Sequence, residues 1–198
     1  MRPRRPQSVQ RHHLRICSSP PRRWCTLFPS PIGTCGIGWS ERGISAFQLP
    51  ARSEDATRAL LLRAMPEADA ADPPPPVAEA IRRIVALFEG ARDDLSDIAV
   101  DLDGVAPFER AVYDVARKIP PGSTLTYGAV ASRIGAPDAA RAVGAALGRN
   151  PVAVIVPCHR VLAAGGADGG FSAPGGVATK RRLLEIEGAL TPQPSLFP

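Results

Sequence analysis

A short apolar run at residues 152–156 limits what this chain can fold into more than any other stretch. Its five residues, VAVIV, are mostly β-branched and predict a strand that is buried on both faces. Pro157 ends the run, and Cys158 follows it beside His159. A thiol at the end of a buried strand and next to a histidine is a candidate nucleophile. A buried structural cysteine is the alternative, because free cysteine is among the most buried residue types.

Charge is distributed unevenly along the 198 residues. Residues 1–23 carry seven arginines and no acidic residue, and residues 24–106 carry seven arginines against thirteen acidic residues. Residues 107–198 carry ten basic residues against six acidic ones. The basic C-terminal part indicates either an anionic partner, first of all nucleic acid, or simply a solvated surface. We predict no membrane-spanning helix, because no run of 18 apolar residues is present.

The two ends of the chain predict tails. Residues 1–23 are rich in Arg, Pro and Ser and predict a disordered segment, while residues 191–198 form a short C-terminal tail. The first segment could be a transit-like peptide, a nonspecific nucleic-acid-binding arm or the product of a start codon placed too far upstream. We predict no metal site, because the spacing of the potential ligands is irregular: His12, His13, Cys17 and Cys25. Free thiols suit a reducing compartment, so we expect a cytoplasmic protein.

Residues 24–104 predict a small α/β unit. Three strand-like runs lie between turn residues, and Ser40 to Gly43 predicts the turn of a hairpin. The runs cover residues 24–28, 33–39 and 43–49. Residues 55–65 predict a helix, and a second helix presents an apolar face at positions spaced by three, four and seven: Val77, Ile81, Ile84, Val85 and Phe88. Residues 98–102 predict a further strand.

Residues 105–190 predict a helical unit. An amphipathic helix is expected at residues 107–119, and two short helices follow in tandem. Thr126 can cap the first, at residues 127–134, and Pro137 suits the start of the second, at residues 138–148. A short glycine-containing turn joins them. The pattern is typical of a helix-turn-helix motif.

The second helix of this pair, DAARAVGAALG, consists almost entirely of alanine and glycine with one arginine, Arg141. Helices that recognise base edges in the major groove need several long polar side chains. This helix favours close approach to a groove without sequence recognition, with Arg141 as the single long side chain. A small-residue helix packed tightly in a core is the alternative.

Five motifs in order resemble the O6-alkylguanine-DNA alkyltransferases, also called methylated-DNA–protein-cysteine methyltransferases. The motifs are IPPGST at residues 119–124, TYG at 126–128, AARAVG at 139–144, GRNP at 148–151 and PCHRV at 157–161. The resemblance runs from about Pro107 to Leu190 and implies an α+β fold. A small ribonuclease H-like α/β domain at residues 24–104 would precede a helical, winged helix-turn-helix-like domain at residues 105–190.

The resemblance also implies a reaction and the residues that perform it. An alkylated base is flipped out of duplex DNA, and its O6-alkyl group, or the O4-alkyl group of thymine, passes irreversibly to a cysteine of the protein. The acceptor position falls on Cys158. His159 would act as the base through a water molecule, Glu187 would orient it, and Asn150 would hold the turn before the active strand. No cofactor is implied.

The resemblance places the DNA-binding positions on Tyr127, Arg141, Ala139, Ala140 and Arg160. Tyr127 would also form the base pocket, together with three further residues: Val161, Phe171 and Ser172. The partner would be double-stranded DNA that contains O6-alkylguanine, bound through the minor groove by a monomer at the bacterial nucleoid. The loop after the active strand, FSAPGG, departs from the family pattern by two additional residues and by phenylalanine in place of tyrosine.

Three other functions share parts of this pattern. An alkyltransferase-like damage-binding protein keeps the fold but replaces the nucleophilic cysteine, which is present here as Cys158. A helix-turn-helix transcription factor would need more base-recognising side chains than the second helix carries. A Cys/His hydrolase would need an acyl-transfer site, and no further polar constellation indicates one.

Overall fold

The structure, a computed structural model, describes residues 22–191. His12, His13, Cys17 and most of both predicted tails lie outside the described residues. The strands are β1 (Arg23–Phe28), β2 (Cys35–Ser40), β3 (Gly43–Gln48), β4 (Asp69–Ala70), β5 (Leu125–Thr126) and β6 (Val161–Leu162). The helices are α1 (Glu54–Ala64), α2 (Pro75–Phe88), α3 (Pro107–Ala116), α4 (Tyr127–Arg133), α5 (Ala140–Gly148) and α6 (Gly176–Ile186).

The first half of the chain forms a four-stranded sheet in the order β3-β2-β1-β4. Strands β1, β2 and β3 are antiparallel, and the short β4 pairs in parallel with β1. The predicted hairpin turn between Ser40 and Gly43 is confirmed, with Gly43 at φ 138°, a conformation that favours glycine. The predicted strand at residues 98–102 is wrong, because only Val100 bridges to Ile44.

Helix α1 packs against β2 and β3, and the apolar face of α2 belongs to the core that also contains Ile37 of the sheet. The hydroxyl of Ser53 accepts a hydrogen bond from the amide of Ala56 and caps α1. Helix α2 begins at Pro75. Proline has no N–H, but the first N–H groups of a helix have no intrahelical acceptor, so no hydrogen bond is lost there. Its buried face is apolar and consists of Val77, Ala80, Ile84, Leu87 and Phe88. The sheet and the two helices form the α/β part of the predicted α+β fold.

The predicted helix-turn-helix is present as α4 and α5. The hydroxyl of Thr126 accepts a hydrogen bond from the amide of Ala129 and caps α4, as predicted. Two helix limits differ from prediction by more than one residue. Helix α3 ends three residues early, at Ala116, and α5 begins at Ala140 instead of beside Pro137. The segment around Pro137 forms a turn instead, in which the amide of Ala139 donates to the carbonyl of Ala136.

The apolar run at residues 152–156 is buried, but it is a turn and not the predicted strand. Val154 has φ 73°, and the amide of Val156 donates to the carbonyl of Val152 over 2.9 Å. The side chain of Asn150 stabilises this conformation, since its Oδ1 accepts from the amide of Val152 and its Nδ2 donates to the carbonyl of Val156. β-branched residues favour strands because their side chains pack well when buried, and in this turn the side chains are buried and packed in the same way.

One hydrophobic core joins the two halves of the chain. It includes Ile37 of the sheet, Ile84 of α2, Val112 of α3, Ile155 of the buried turn and Leu183 of α6. The amide of Phe47 in β3 also donates to the carbonyl of Pro151, over 2.8 Å. The sheet therefore supports the turn that leads to Cys158. The predicted division into domains near residue 104 stays a prediction. Within residues 22–191, no helix is long and apolar enough to cross a membrane.

Candidate active site and nucleic-acid-binding surface

Cys158 lies directly after the buried turn, at the start of a single 3-10 turn, Cys158–Arg160. Its amide donates to the carbonyl of Val156 over 2.8 Å. The side chain is partly exposed and lies at the wall of a cavity of about 790 Å³. The turn therefore presents the thiol to open space instead of burying it in the core.

The cavity is formed by α4, α5 and the glycine-rich loop that follows β6. From the two helices and the Thr126 cap of α4 it is lined by Thr126, Tyr127, Gly128, Ala140, Arg141, Gly144, Leu147 and Gly148. The loop contributes Ala163, Ala164, Gly170, Phe171 and Ser172. The space in front of Cys158 thus opens toward the alanine- and glycine-rich helix. Its volume lies in the range of small-molecule pockets, about 300–1,000 Å³.

Behind Cys158, three charged or titratable side chains form a buried cluster. Nε2 of His159 lies 2.9 Å from Oε1 of Glu187, and Arg160 donates to both oxygens of Glu187 over 2.8 Å. The exposed fractions of the side chains are 1% for His159, 0% for Arg160 and 2% for Glu187. Arg160 also donates to the carbonyl of Ile119. The cluster joins the active turn to the end of α6.

The cluster fixes the protonation of its members. Burial by itself raises the pKa of Glu187, but the hydrogen bonds and charges of His159 and Arg160 outweigh it and lower the pKa to about 2. Burial lowers the pKa of His159 more than Glu187 raises it. Since the Glu187 carboxylate can only accept, the neutral imidazole carries its proton on Nε2 and leaves Nδ1 as an acceptor. Nδ1 is buried and has no partner among the described residues.

The prediction that Arg160 binds DNA is wrong. Its side chain is entirely buried, and its guanidinium binds Glu187 and the carbonyl of Ile119. A buried carboxylate needs a partner of opposite charge, and Arg160 supplies it with two parallel hydrogen bonds. It cannot reach a DNA phosphate from this position.

Two neighbours act on the thiol of Cys158. Burial raises the pKa of Cys158, while a hydrogen bond from Asn150 and the positive charge of Lys180 act in the opposite direction. Asn150 lies where the sequence predicted it, at the turn between α5 and Cys158. Lys180 was not predicted as a site residue. It is entirely buried, which the helical periodicity of α6 could have indicated.

Four of the predicted DNA-binding residues lie on α4 and α5 or directly before α5. Arg141 is exposed at the mouth of the cavity beside Ala140, and Tyr127 lines the cavity from the start of α4. Ala139 precedes α5 and is half-buried. The exposed face of α5 carries small side chains around Arg141, whereas Val143, Ala146 and Leu147 face the core.

The three remaining pocket residues differ in position. Phe171 and Ser172 line the cavity, and the Ser172 hydroxyl donates to the carbonyl of Gly148 at the end of α5. Val161 is not among the residues that line the cavity, and the predicted contact of its backbone with a base stays a prediction. Val161 lies in β6, which pairs with β5, and its side chain is buried in the core. The carbonyl of Val161 accepts a hydrogen bond from Lys180.

A second cavity, of about 310 Å³, also reaches Cys158. It extends toward the first half of the chain, where Phe47, Leu49 and Leu60 line it. Phe171 and Ser172 line both cavities and lie between them. Within residues 22–191, no group of three or more His, Cys, Asp or Glu side chains could hold a metal ion.

Known proteins share this architecture. The family model of the 6-O-methylguanine DNA methyltransferase DNA-binding domain covers residues 107–189. A crystal structure of Mycobacterium tuberculosis OGT in complex with DNA superposes with a TM-score of 0.67 at 34% identity, over 83% of this chain and 92% of that chain. The fold and the site therefore define a class, proteins that carry this DNA-binding domain together with a cavity-facing cysteine.

Two curated relatives narrow the class further. The methylated-DNA–protein-cysteine methyltransferase of Mycobacterium leprae is 37% identical over 164 residues, which are 82% of this chain and 91% of that protein. The Mycobacterium tuberculosis protein of the same name is 45% identical over 113 residues. That alignment covers 57% of this chain and 66% of the relative, just under two thirds of its length. The chain belongs to the methylated-DNA–protein-cysteine methyltransferase family.

Proposed function

We propose that this protein repairs DNA by direct reversal, transferring the alkyl group of O6-alkylguanine, and of O4-alkylthymine, to its own Cys158. The observation that carries the proposal is the position of Cys158, at the wall of a cavity that can hold a base, below a helix-turn-helix. The names of the relatives and the DNA complex of the mycobacterial structure support it. Each molecule acts once, because the thioether product is stable.

His159 activates the thiol. The cluster orients its imidazole so that Nδ1 is the free acceptor, and a water molecule between Nδ1 and the sulfur carries the proton from Cys158. Glu187, charged and held by Arg160, stabilises the imidazolium that forms. Asn150 keeps the preceding turn in place through its two backbone hydrogen bonds, so that the sulfur points into the cavity.

The transfer is an in-line displacement at the alkyl carbon. A bond forms between Sγ of Cys158 and this carbon, while the bond from the carbon to O6 breaks and its electron pair stays on the base. Guanine takes up a proton and leaves. A methyl group occupies little space, whereas larger groups must extend sideways from the reacting carbon. The second cavity, which also reaches Cys158, provides that room.

Helix α5 binds the minor groove. Its exposed small side chains permit close approach to the DNA. Base pairs are only partly distinguishable in the minor groove, which suits a protein that must find lesions in any sequence. Arg141, exposed at the cavity mouth, occupies the stack that the flipped nucleotide leaves, and Tyr127 contacts this nucleotide from within the cavity. The protein acts as a monomer, since one chain supplies both the thiol and the DNA-binding helix. Its place of action is the cytoplasm, at the nucleoid.

A labelled-DNA assay with Cys158→Ser tests the proposal. The variant should lose transfer of a labelled methyl group from an O6-methylguanine duplex and should bind that duplex with nearly unchanged affinity. Cys25→Ser, which changes a buried cysteine of the sheet, is the matched control and should retain transfer. Retained transfer by Cys158→Ser would place the acceptor elsewhere. A wild-type protein that binds the duplex without transfer would favour the alternative function, damage binding alone.

A further inference from the structure

One wall of the second cavity comes from the first half of the chain. Phe47 and Gln48 of β3, Leu49 directly after it and Leu60 of α1 line this cavity together with Cys158. All four lie before residues 107–189, which the DNA-binding family model matches. The surroundings of the thiol are therefore not formed by the second half of the chain alone.

Two sets of contacts hold this wall in place. The amide of Phe47 donates to the carbonyl of Pro151 over 2.8 Å and connects β3 to the turn that leads to the thiol. Helix α1 contacts β2 and β3, and its Leu61 is buried in a cluster with residues of the sheet. Leu60, directly before it, is half-buried. The sheet therefore fixes the position of the helix that carries Leu60.

Within residues 22–191, the side chains that line the second cavity are uncharged. The polar ones are Gln48, Asn150, Ser172 and Cys158 itself. A carboxylate or an ammonium group placed there would lose its hydration without meeting an opposite charge, which is strongly unfavourable. An uncharged alkyl or aryl group is instead stabilised when its apolar surface leaves water. The lining therefore favours neutral substituents.

The geometry of the proposed reaction directs a large substituent into this cavity. The guanine would occupy the first cavity, between α4, α5 and the glycine-rich loop. In an in-line displacement the sulfur, the carbon and O6 are aligned, so that the rest of the alkyl group projects sideways. Cys158 lines both cavities, and Phe171 lies between them, where its ring can pack against an aryl group. The volume of about 310 Å³ lies at the lower end of small-molecule pockets.

Leu60 lies at the outer limit of this space. Leu60 and Pro174 line the second cavity and also a third one, of about 560 Å³, which extends along the exposed side of α1 to Ala59 and Arg63. The two side chains therefore separate the second cavity from the surface of the protein. The size of the side chain at position 60 thus determines how far a substituent can extend from the sulfur.

We propose that the first half of the chain forms the part of the site that receives the alkyl group, and that Leu60 limits the length of the neutral substituents accepted. The inference rests on the proposed function, because it names the substrates of the same site, O6-substituents up to an arylmethyl group such as benzyl. Their transfer forms the bond from the carbon to Sγ of Cys158 and breaks the bond to O6, as methyl transfer does. A methyl group has no atoms beyond the reacting carbon, so Leu60 acts on larger groups.

Single-turnover transfer from three duplexes of one sequence tests the role of Leu60. They carry O6-methylguanine, O6-benzylguanine or O6-(4-phenylbenzyl)guanine at the same position. Leu60→Trp, which fills the cavity from α1, should lower the ratio of benzyl to methyl transfer rates by about tenfold, since a misfit of one methylene group changes discrimination by about 10- to 200-fold. Leu60→Ala, which opens the cavity outward, should raise the ratio of 4-phenylbenzyl to methyl transfer by about tenfold. Leu62→Trp, at an exposed position of α1, is the matched control and should keep both wild-type ratios.

A pair of substituents of equal size tests the preference for neutral groups. O6-(4-carbamoylbenzyl)guanine and O6-(4-carboxybenzyl)guanine differ by an amide in place of a carboxylate. The wild type should transfer the neutral group at least about tenfold faster, because no cation lines the second cavity within the described residues. Equal rates would overturn the assignment of neutral substrates.

The ratios also separate this inference from the proposed function. Wild-type protein that transfers no methyl group counts against the proposed function. Normal methyl transfer by the wild type, with unchanged ratios in both Leu60 variants, would overturn the inference alone and would place the substituent in the first cavity. The same fall in Leu62→Trp as in Leu60→Trp would overturn it too. If Leu60→Trp does not fold, the ratio measured for Leu60→Ala decides.

Discussion

Substitution of Glu187 by glutamine removes the only carboxylate of the buried cluster within the described residues. The glutamine amide has one acceptor oxygen where the carboxylate has two, so Arg160 loses a hydrogen bond as well as its counter-ion. Removing one member of a buried ion pair costs about 3–5 kcal/mol. The depression of the Glu187 pKa from 4.5 to about 2 gives a consistent figure, about 3 kcal/mol of folding stability at neutral pH. We therefore expect Glu187→Gln to lower the free energy of unfolding at pH 7 by about 3–5 kcal/mol.

The same reasoning fixes how the loss depends on pH. A carboxyl group whose pKa is lower in the folded state stabilises the protein above its unfolded pKa, and this contribution disappears as the pH falls through the folded value. For Glu187 the window runs from pH 4.5 to about pH 2. The gap in stability between the wild type and Glu187→Gln should thus be constant above pH 5. At pH 3.5 it should be smaller by about 1.4 kcal/mol.

Urea unfolding of both proteins at pH 7, 5.5, 4.5 and 3.5 measures this gap. Glu185→Gln is the matched control, since Glu185 lies two positions earlier on α6 and makes no side-chain hydrogen bond within residues 22–191. It should change stability by no more than about 0.5 kcal/mol. Equal stability of Glu187→Gln and wild type at pH 7, or a gap that widens as the pH falls, would refute the assignment of Glu187 as a buried, charged partner of Arg160.

Three further predictions concern the cavity. Arg141→Ala should slow repair in duplex DNA far more than reaction with free O6-benzylguanine, because only the duplex requires a residue to fill the vacated stack; equal losses in both assays would exclude that role. Asn150→Ala should lower the free energy of unfolding by about 1–3 kcal/mol in urea and slow methyl transfer, because two buried backbone groups lose their partner. Unchanged values would show that the turn does not depend on the Asn150 side chain. Gly169→Ala should reduce transfer, because a Cβ there would lie 2.8 Å from the Tyr127 hydroxyl and φ is 65°; full activity would show that the loop can yield.

The sequence predicted local elements better than it predicted their packing. Amphipathic spacing identified α2, and the Thr126 cap identified the start of α4, because both signals depend on residues a few positions apart. The run at residues 152–156 was misassigned as a strand, since burial and β-branching are shared by strands and by this turn. The turn depends on Asn150, whose side chain bonds to backbone groups that composition does not reveal.

For the site, too, the sequence predicted the positions of residues better than their packing. Resemblance to known motifs placed Cys158 and Arg141 at one cavity, where the structure has them. It could not show that Arg160 points inward, because an arginine two residues after the acceptor cysteine is equally compatible with a phosphate contact. The role of Arg160 depends on Glu187, 27 residues further along the chain. For Lys180, the helical period of α6 could have indicated burial but not the partners, because backbone carbonyls leave no pattern in a sequence.

Intact-mass spectrometry after incubation with an O6-methylguanine duplex measures the central claim directly. The account predicts that each molecule gains the mass of one methylene group, in stoichiometric and irreversible fashion, and that peptide mapping places it on the sulfur of Cys158. Unmodified duplex should cause no change. Repaired DNA with an unaltered protein mass, or a methyl group mapped to Cys25 or Cys35, would contradict it.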